Sequence, residues 1–275
     1  FHDATNLRVL SRHLDQYALA RYYGPDGQSL VGNPSVSVYR VNESGLTTPV
    51  YRNWSLGVEQ LLPWGLHGRF EYLRKRGRGG FTFVYAGHEA PEEIYALSNE
   101  RRDVYDSLEV TFRKTFRRQY EWLASYTRSR ALSNAVMDVN IDDPVLVGDN
   151  AGRLPWDTPN RFLSWGLVPL TEKNSLAYLV EWRDGFPFNV IDEEGRLEGK
   201  PNERRLPAHF SLNLHWERRF SLWRWRWAWR GGFNNITDRL NPTVVNNNLG
   251  SRNFLQYSGG QRRAFVMRIR WLGRK

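Results

Sequence analysis

The chain has 275 residues, 39 Lys and Arg against 29 Asp and Glu for a net charge of +10, 14% aromatic residues and no cysteine. This aromatic content excludes a disordered chain, which is poor in such residues. The missing cysteine excludes a disulfide framework, a thiolate zinc site and a cysteine nucleophile. Mean hydropathy is −0.62, and no run reaches the roughly 18 apolar residues of a membrane helix. A membrane-crossing strand is not excluded, because it alternates apolar with polar residues.

The opening FHDATNLRVL has no initiator Met, basic n-region or apolar h-region. It reads as the start of a processed chain or, better, of a fragment. Strands are expected around 17 to 23 and 35 to 41. Trp54, Leu56 and Val58 then alternate with Ser55, Gly57 and Glu59, and a turn falls at Pro63–Trp64. Successive side chains of a strand point to opposite faces, so alternation of this kind builds one apolar and one polar face. Leu66 to Tyr85 reads as one long strand. Its parity changes around Gly77–Gly80, which predicts a bulge or bend. A long loop is expected over 86 to 104.

Leu108, Val110 and Phe112 oppose Ser107, Glu109, Thr111 and Arg113, and a short turn is expected near Arg117–Arg118. Tyr120, Trp122, Ala124 and Tyr126 oppose Glu121, Leu123, Ser125 and Thr127. A long loop over 131 to 160 precedes RFLSWGLVPL, where Leu163, Trp165 and Leu167 are placed on the apolar face. After the turn at 171 to 174, Leu176, Tyr178, Val180 and Trp182 oppose Ala177, Leu179, Glu181 and Arg183. A long loop spans 186 to 206. Phe210, Leu212, Leu214 and Trp216 then oppose Ser211, Asn213, His215 and Glu217, with a short turn at 218 to 221.

The most informative stretch is LWRWRWAWRGGF, residues 222 to 233. Trp223, Trp225, Trp227 and Trp229 take every second position, between Arg224, Arg226, Ala228 and Arg230. One soluble core cannot easily pack four indoles in a row, whereas a lipid-facing surface has no such limit and favours Trp near the membrane boundary. A one-residue slip would turn arginines toward lipid, at roughly 2–4 kcal/mol each at the bilayer midplane. The last strand follows a long loop over 235 to 261. It sets Phe265, Met267, Ile269 and Trp271 against Val266, Arg268 and Arg270. The fold class is therefore all-β, an antiparallel transmembrane barrel wall of about ten strands. Long and short connections alternate, as extracellular loops and periplasmic turns do in outer-membrane barrels.

Two sets of residues follow. Glu109, Arg113, Glu181, Arg183, His215, Arg224, Arg226, Arg230, Arg268 and Arg270 are expected to face the lumen, where they contact a ligand or a plug or simply fill a hydrated wall. Trp122, Trp165, Trp182, Trp216, Trp223, Trp225, Trp227, Trp229, Phe265 and Trp271 are expected to form a lipid-facing belt.

The C-terminal stretches GGFNNITDRLNPTVVNNN and NFLQYSGGQRRAFVMRIRW resemble the end of TonB-dependent receptors, most of all the branch with an N-terminal carboxypeptidase-regulatory-like domain. Asn235, Ile236, Thr237, Asp238, Arg239, Asn241 and Pro242 carry that resemblance, as do Gly260, Arg262, Arg263 and Phe265. LPWDTPNRFLSWGLVPL and WSLGVEQLLPWGLHGRFEYLRKRGRGGF are similar to the family's strand lead-in and long hairpin. The resemblance runs from about residue 45 to the end. It implies a 22-stranded barrel with a plugged lumen, of which residues 1–275 form a part without the plug domain or the N-terminal strands. It also implies the outer membrane as location, with partners in outer-membrane lipid, the plug of the same full-length chain, the TonB complex and an extracellular ligand. The chain departs from the family in ending WLGRK rather than on an aromatic residue.

No catalytic constellation is present. The six His are scattered at 2, 13, 67, 88, 209 and 215 without metal spacing, and there is no HExxH or GxSxG. No cofactor or metal is expected. RGRGG at 76 to 80 reads as a basic bend rather than a nucleic-acid segment. Asp138, Asp142, Asp143 and Asp149 lack the order of a calcium loop. Two alternatives are a self-contained small passive pore and a soluble basic β-protein that binds nucleic acid. The second would have to expose a continuous apolar belt to water, which soluble monomers rarely do, so nucleic acid is not an expected partner.

Overall fold

The computed structural model describes residues 16–24, 26–41, 45–89, 92–116, 120–136, 150–193 and 195–274. The turn expected near Arg117–Arg118 and the aspartates Asp138, Asp142, Asp143 and Asp149 lie outside these residues. The long strands are β1 (Gln16–Tyr23), β2 (Leu30–Val41), β3 (Val50–Leu62), β4 (Leu66–Glu89), β5 (Glu92–Phe116) and β6 (Tyr120–Ser133). They continue as β7 (Asn160–Pro169), β8 (Asn174–Arg183), β9 (His209–Leu222), β10 (Trp225–Asn234) and β11 (Ala264–Arg274).

From β3 to β11 each strand pairs antiparallel with the next in the chain. Among the described residues β3 pairs only with β4, and β11 only with β10, so the nine-strand sheet has two bare edges. The β1–β2 hairpin sits apart from this order. Val36–Val41 of β2 runs parallel to Glu92–Leu97 of β5, on the side of β5 away from β4, above the end of β6.

Short connections lie at one end of the sheet and long ones at the other. The short ones include Pro63–Gly65, residues 170–173 and the two-residue turn Trp223–Arg224. The long segments 184–208 and 235–263 fold back on themselves as small ladders, Pro187–Phe188 with Arg204–Arg205, Val190–Ile191 with Leu197–Glu198, and Val244–Val245 with Tyr257–Ser258.

Two expectations are corrected. Residues 86–89 and 92–104 are not a loop, because β4 and β5 continue past the other strands and pair with each other. Its register shifts between Gly77 and Gly80, as the parity change predicts, and again at Gly80/Thr82 and Tyr85/Gly87. The basic RGRGG stretch is thus part of a bulged strand. The turn expected at 218–221 is also displaced. β9 carries on through Phe220 and Leu222, and the chain reverses at Trp223, whose φ is 54°. Trp223 and Arg224 therefore belong to a turn, not to the alternating strand.

Candidate functional site: two faces and a loop cluster

Register decides which side chains share a face. Glu109 is level with Glu71 and Thr127, and Arg113 with His67 and Leu123. The same face continues through Glu181, Arg183 and His215 to Arg230, Arg268, Arg270 and Arg226. Nine of the ten residues assigned to the lumen thus share one face, and Arg224 stands in the turn.

Ion pairs cross this face between neighbouring strands. Arg69 reaches Glu59 at 3.4 Å as well as Glu71 of its own strand at 2.5 Å, Arg113 pairs with Glu121, and Arg161 meets Glu181 at 3.3 Å. The best-built cluster centres on Glu217, only 5% exposed, which accepts from Arg270 at 2.5 Å and faces Arg219 at 3.6 Å. Directly across from Glu217 stands Arg230, itself opposite Arg268. One buried carboxylate thereby offsets a run of guanidinium groups, which is what lets like charges stand opposite one another. Glu217 was on the polar side of the sequence pattern but not singled out. The signal available was its place two residues beyond His215 in the same alternation.

The opposite face is apolar along its middle rows. It runs from Trp54, Leu56 and Val58 through Val110, Trp122, Trp182 and Trp216 to Trp225, Trp227, Trp229, Phe265 and Trp271. Aromatic edges meet at Trp216–Trp229 and Trp225–Trp271, each 5.3 Å apart.

Trp165 is a correction. Its partners are Leu123 on β6 and Leu179 on β8, so it shares the face of Arg113 and Glu181 rather than the aromatic face. The aromatic-face positions of β7 are instead Phe162, Ser164, Gly166 and Val168. Tyr178 of β8 lies over the small ones. A Cβ on Gly166 would stand 2.8 Å from its ring, and the Tyr178 hydroxyl is 3.2 Å from Ser164 Oγ. Trp165 borders a cavity of about 360 Å³ with Arg69, Glu109, Thr111, Leu123 and Arg161.

The long segments are tied together by buried polar side chains. Asp157 is 2% exposed, accepts from the Ala131 amide at 2.7 Å, and pairs with Arg205, whose Nη1 donates to the carbonyls of Asp157 and Gly185. Asn202 donates to the Arg153 carbonyl at 2.7 Å, and Asn247 to that of Asn189 at 2.9 Å. The segment from Asn235 to Pro242 caps the sheet in the same manner. Asn235 Nδ2 donates to the carbonyls of Arg239 and Gln261, while the Asn241 amide both accepts from and donates to the Phe210 backbone. These asparagines satisfy backbone groups at the strand ends, so the motif has a structural role here.

A cavity of about 720 Å³ lies between the β1–β2 turn and residues 246–253, bordered by Tyr23, Asp26, Glu193, Asn248 and Arg252. The Ser29 hydroxyl and the Gln28 and Ser29 amides hold the Asp26 carboxyl down at about 2. No group of His, Asp and Glu among the described residues is arranged to hold a metal. No helix among them is long and apolar enough to cross a membrane, which leaves crossing by strands open.

The family model described as an outer membrane beta barrel domain matches residues 11–196, and the chain belongs to that family. Its place is the bacterial outer membrane. Its fold is that of the barrels of outer-membrane receptors. The outer membrane transporter YddB from Escherichia coli superposes with a TM-score of 0.58 at 11% identity, over 86% of this chain and 34% of that one. The ferric-catecholate import receptor Fiu from E. coli K12 gives 0.56 at 13%, over 92% and 32%. A mutant ferric enterobactin receptor PfeA from Pseudomonas aeruginosa, in complex with enterobactin, gives 0.59 at 16%, over 85% and 33%. The chain spans about a third of the length of each. No curated protein sequence matches it.

Proposed function

We propose that residues 1–275 form a sector of the wall of a TonB-dependent outer-membrane receptor, with the ion-paired face lining the lumen and the aromatic face meeting lipid. The observation that carries this reading is the segregation of the two faces over nine consecutive strands. Arginine–glutamate pairs are compatible with water and with a plug. Lipid accepts the opposite face, which presents few charges along its middle rows.

Strand direction supports a larger barrel. β3 leads into the short turn at Pro63–Gly65, and β11 runs toward the same end of the sheet. Closing the nine strands on themselves would set two strands of the same direction side by side. An odd number of further strands makes every pairing antiparallel, and a barrel of 22 strands meets that condition. In the proposed receptor the rest of the full-length chain supplies those strands and a plug. The loop cluster around the 720 Å³ cavity meets an extracellular nutrient, such as a metal chelate or a glycan fragment. The TonB complex, driven from the inner membrane, releases it inward.

Planar-bilayer recording of the purified full-length protein tests this. A plugged receptor gives no steady conductance until the plug is loosened with urea. A steady open conductance without urea overturns the plug and favours the passive pore.

A further inference from the structure

The aromatic face is not apolar along its whole height. On β3 to β6, at the end away from the short turns, its cross-strand rows change character. The row Val58, Phe70, Val110, Tyr126 is wholly apolar or aromatic. One step up stand Leu56, Tyr72, Leu108 and Arg128, and then Trp54, Arg74, Asp106 and Arg130. Arg52 and Arg76 open the row above. Five guanidinium groups therefore gather on one patch of this face against the single carboxylate of Asp106.

That carboxylate is already engaged. Arg76 reaches both its oxygens, at 2.8 and 3.0 Å, Arg74 stands 3.6 Å away, and the Tyr72 hydroxyl donates at 3.3 Å. Arg52, Arg128 and Arg130 are exposed and have no carboxylate partner among the described residues. Arg128 donates only to the neutral Asn160 Oδ1, at 2.6 Å. A groove of about 500 Å³ lies over β4 to β6 here, bordered by Tyr72, Asp106, Arg128, Arg130, Arg153 and Asp157, the last already paired with Arg205. Trp54 and Tyr72 pack edge to face at 5.2 Å beside the arginines. Indole and phenol rings at the level where charge begins mark the height of a bilayer boundary. At the same end of β9, β10 and β11 this face carries Phe210, Phe233 and Phe265 instead of a guanidinium cluster.

We infer that this patch binds the phosphorylated head groups of lipid in the outer leaflet. Guanidinium is the side chain best suited to bidentate contact with phosphate oxygens. Five of them at the boundary, on the face turned to lipid, match a ligand held by its acyl chains against Leu108, Val110 and Phe70 below. The inference rests on the outward assignment of the aromatic face made above.

The test uses the full-length protein, folded in a bacterial outer membrane and extracted in mild detergent. Native mass spectrometry counts phosphorylated glycolipid retained per protein in the parent and in an R52Q/R128Q/R130Q variant. Heat-modifiable mobility on gels verifies that each is folded. The expected result is a loss of retained lipid of roughly fivefold or more. Equal retention in a folded variant overturns the inference. Release of the lipid by excess inorganic phosphate also overturns it, making the patch a site for free anions. Single V110C and T111C variants, with any cysteine outside these residues replaced by serine, accept spin labels cleanly. Oxygen access at residue 110 with a nickel chelate favoured at 111 keeps the outward assignment, so that a failed lipid count counts against this inference alone. The reverse pattern removes both.

Discussion

The β4–β5 hairpin and the β7–β11 region extend beyond the bilayer in opposite styles. β4 and β5 have 24 and 25 residues, more than twice the roughly 9–11 that span a membrane as a strand, and they project as a bulged ribbon. β7, β8 and β10 have 10 residues each and stop near the boundary. Beyond them the chain is held by side chains instead, by Asp157–Arg205 and by Asn202, Asn235 and Asn241. A ribbon satisfies its backbone by pairing and so tolerates almost any side chain. A folded loop must satisfy its backbone with particular side chains, and so depends on single residues.

The largest expected effect follows from that dependence. Arg205→Ala leaves the Asp157 carboxylate buried without its cation and should cost roughly 3–5 kcal/mol locally. Limited proteolysis should then cut within 184–208 while the strands stay protected. A resistant loop would mean that the two regions are held alike. Arg101→Ala in the ribbon, which loses a pair with Asp103 of partial exposure, should change protection little by comparison.

Face assignment is sharpened next. Val110→Arg should destabilise the folded protein in lipid vesicles by roughly 2–4 kcal/mol, and Thr111→Arg much less. Trp165→Arg belongs with the second. A cost as large as that of Val110→Arg would return Trp165 to the lipid side. Gly232→Ala comes third, at roughly 1–3 kcal/mol, because its Cβ would collide with the Leu214 carbonyl of the adjacent strand. Chemical denaturation in vesicles reads these differences. The smallest effect is expected at Gly166→Ala, under about 1 kcal/mol if the Tyr178 ring swings aside. Losing as much there as at Gly232 would show that the ring is fixed.

Much of the sheet was legible in the sequence wherever one strand carried its own contrast. Residues 225–230 and 265–271 alternate so strongly that both faces and register follow. Three places were not legible, two of them because a neighbour supplies what a single strand lacks. In β7 the aromatic face is Ser164 and Gly166, covered by Tyr178 from the next strand, so the bulkier Leu163 and Trp165 looked like the outer side. Residues 86–89 and 92–104 have loop composition but are paired, β4 with β5 throughout and Glu92–Leu97 also with β2. The reversal at Trp223–Arg224 has no Gly, Asn or Pro to announce it, and the tryptophan there continued the alternation. In the candidate site, most charged positions were readable from parity. Glu217 as the hub of its cluster was not, because its importance comes from Arg219 on its own strand and Arg270 on another.

The order of the sheet has a kinetic consequence. Every pairing from β3 to β11 joins strands that follow one another in the chain, so each requires closing only one connection. Loop-closure entropy grows slowly with length, but contacts distant in sequence still slow folding. Such a wall can zip up hairpin by hairpin from either end. The outer edges of β3 and β11 have no partner among the described residues, so any pairing there is less local than the eight pairings between them and should form after them.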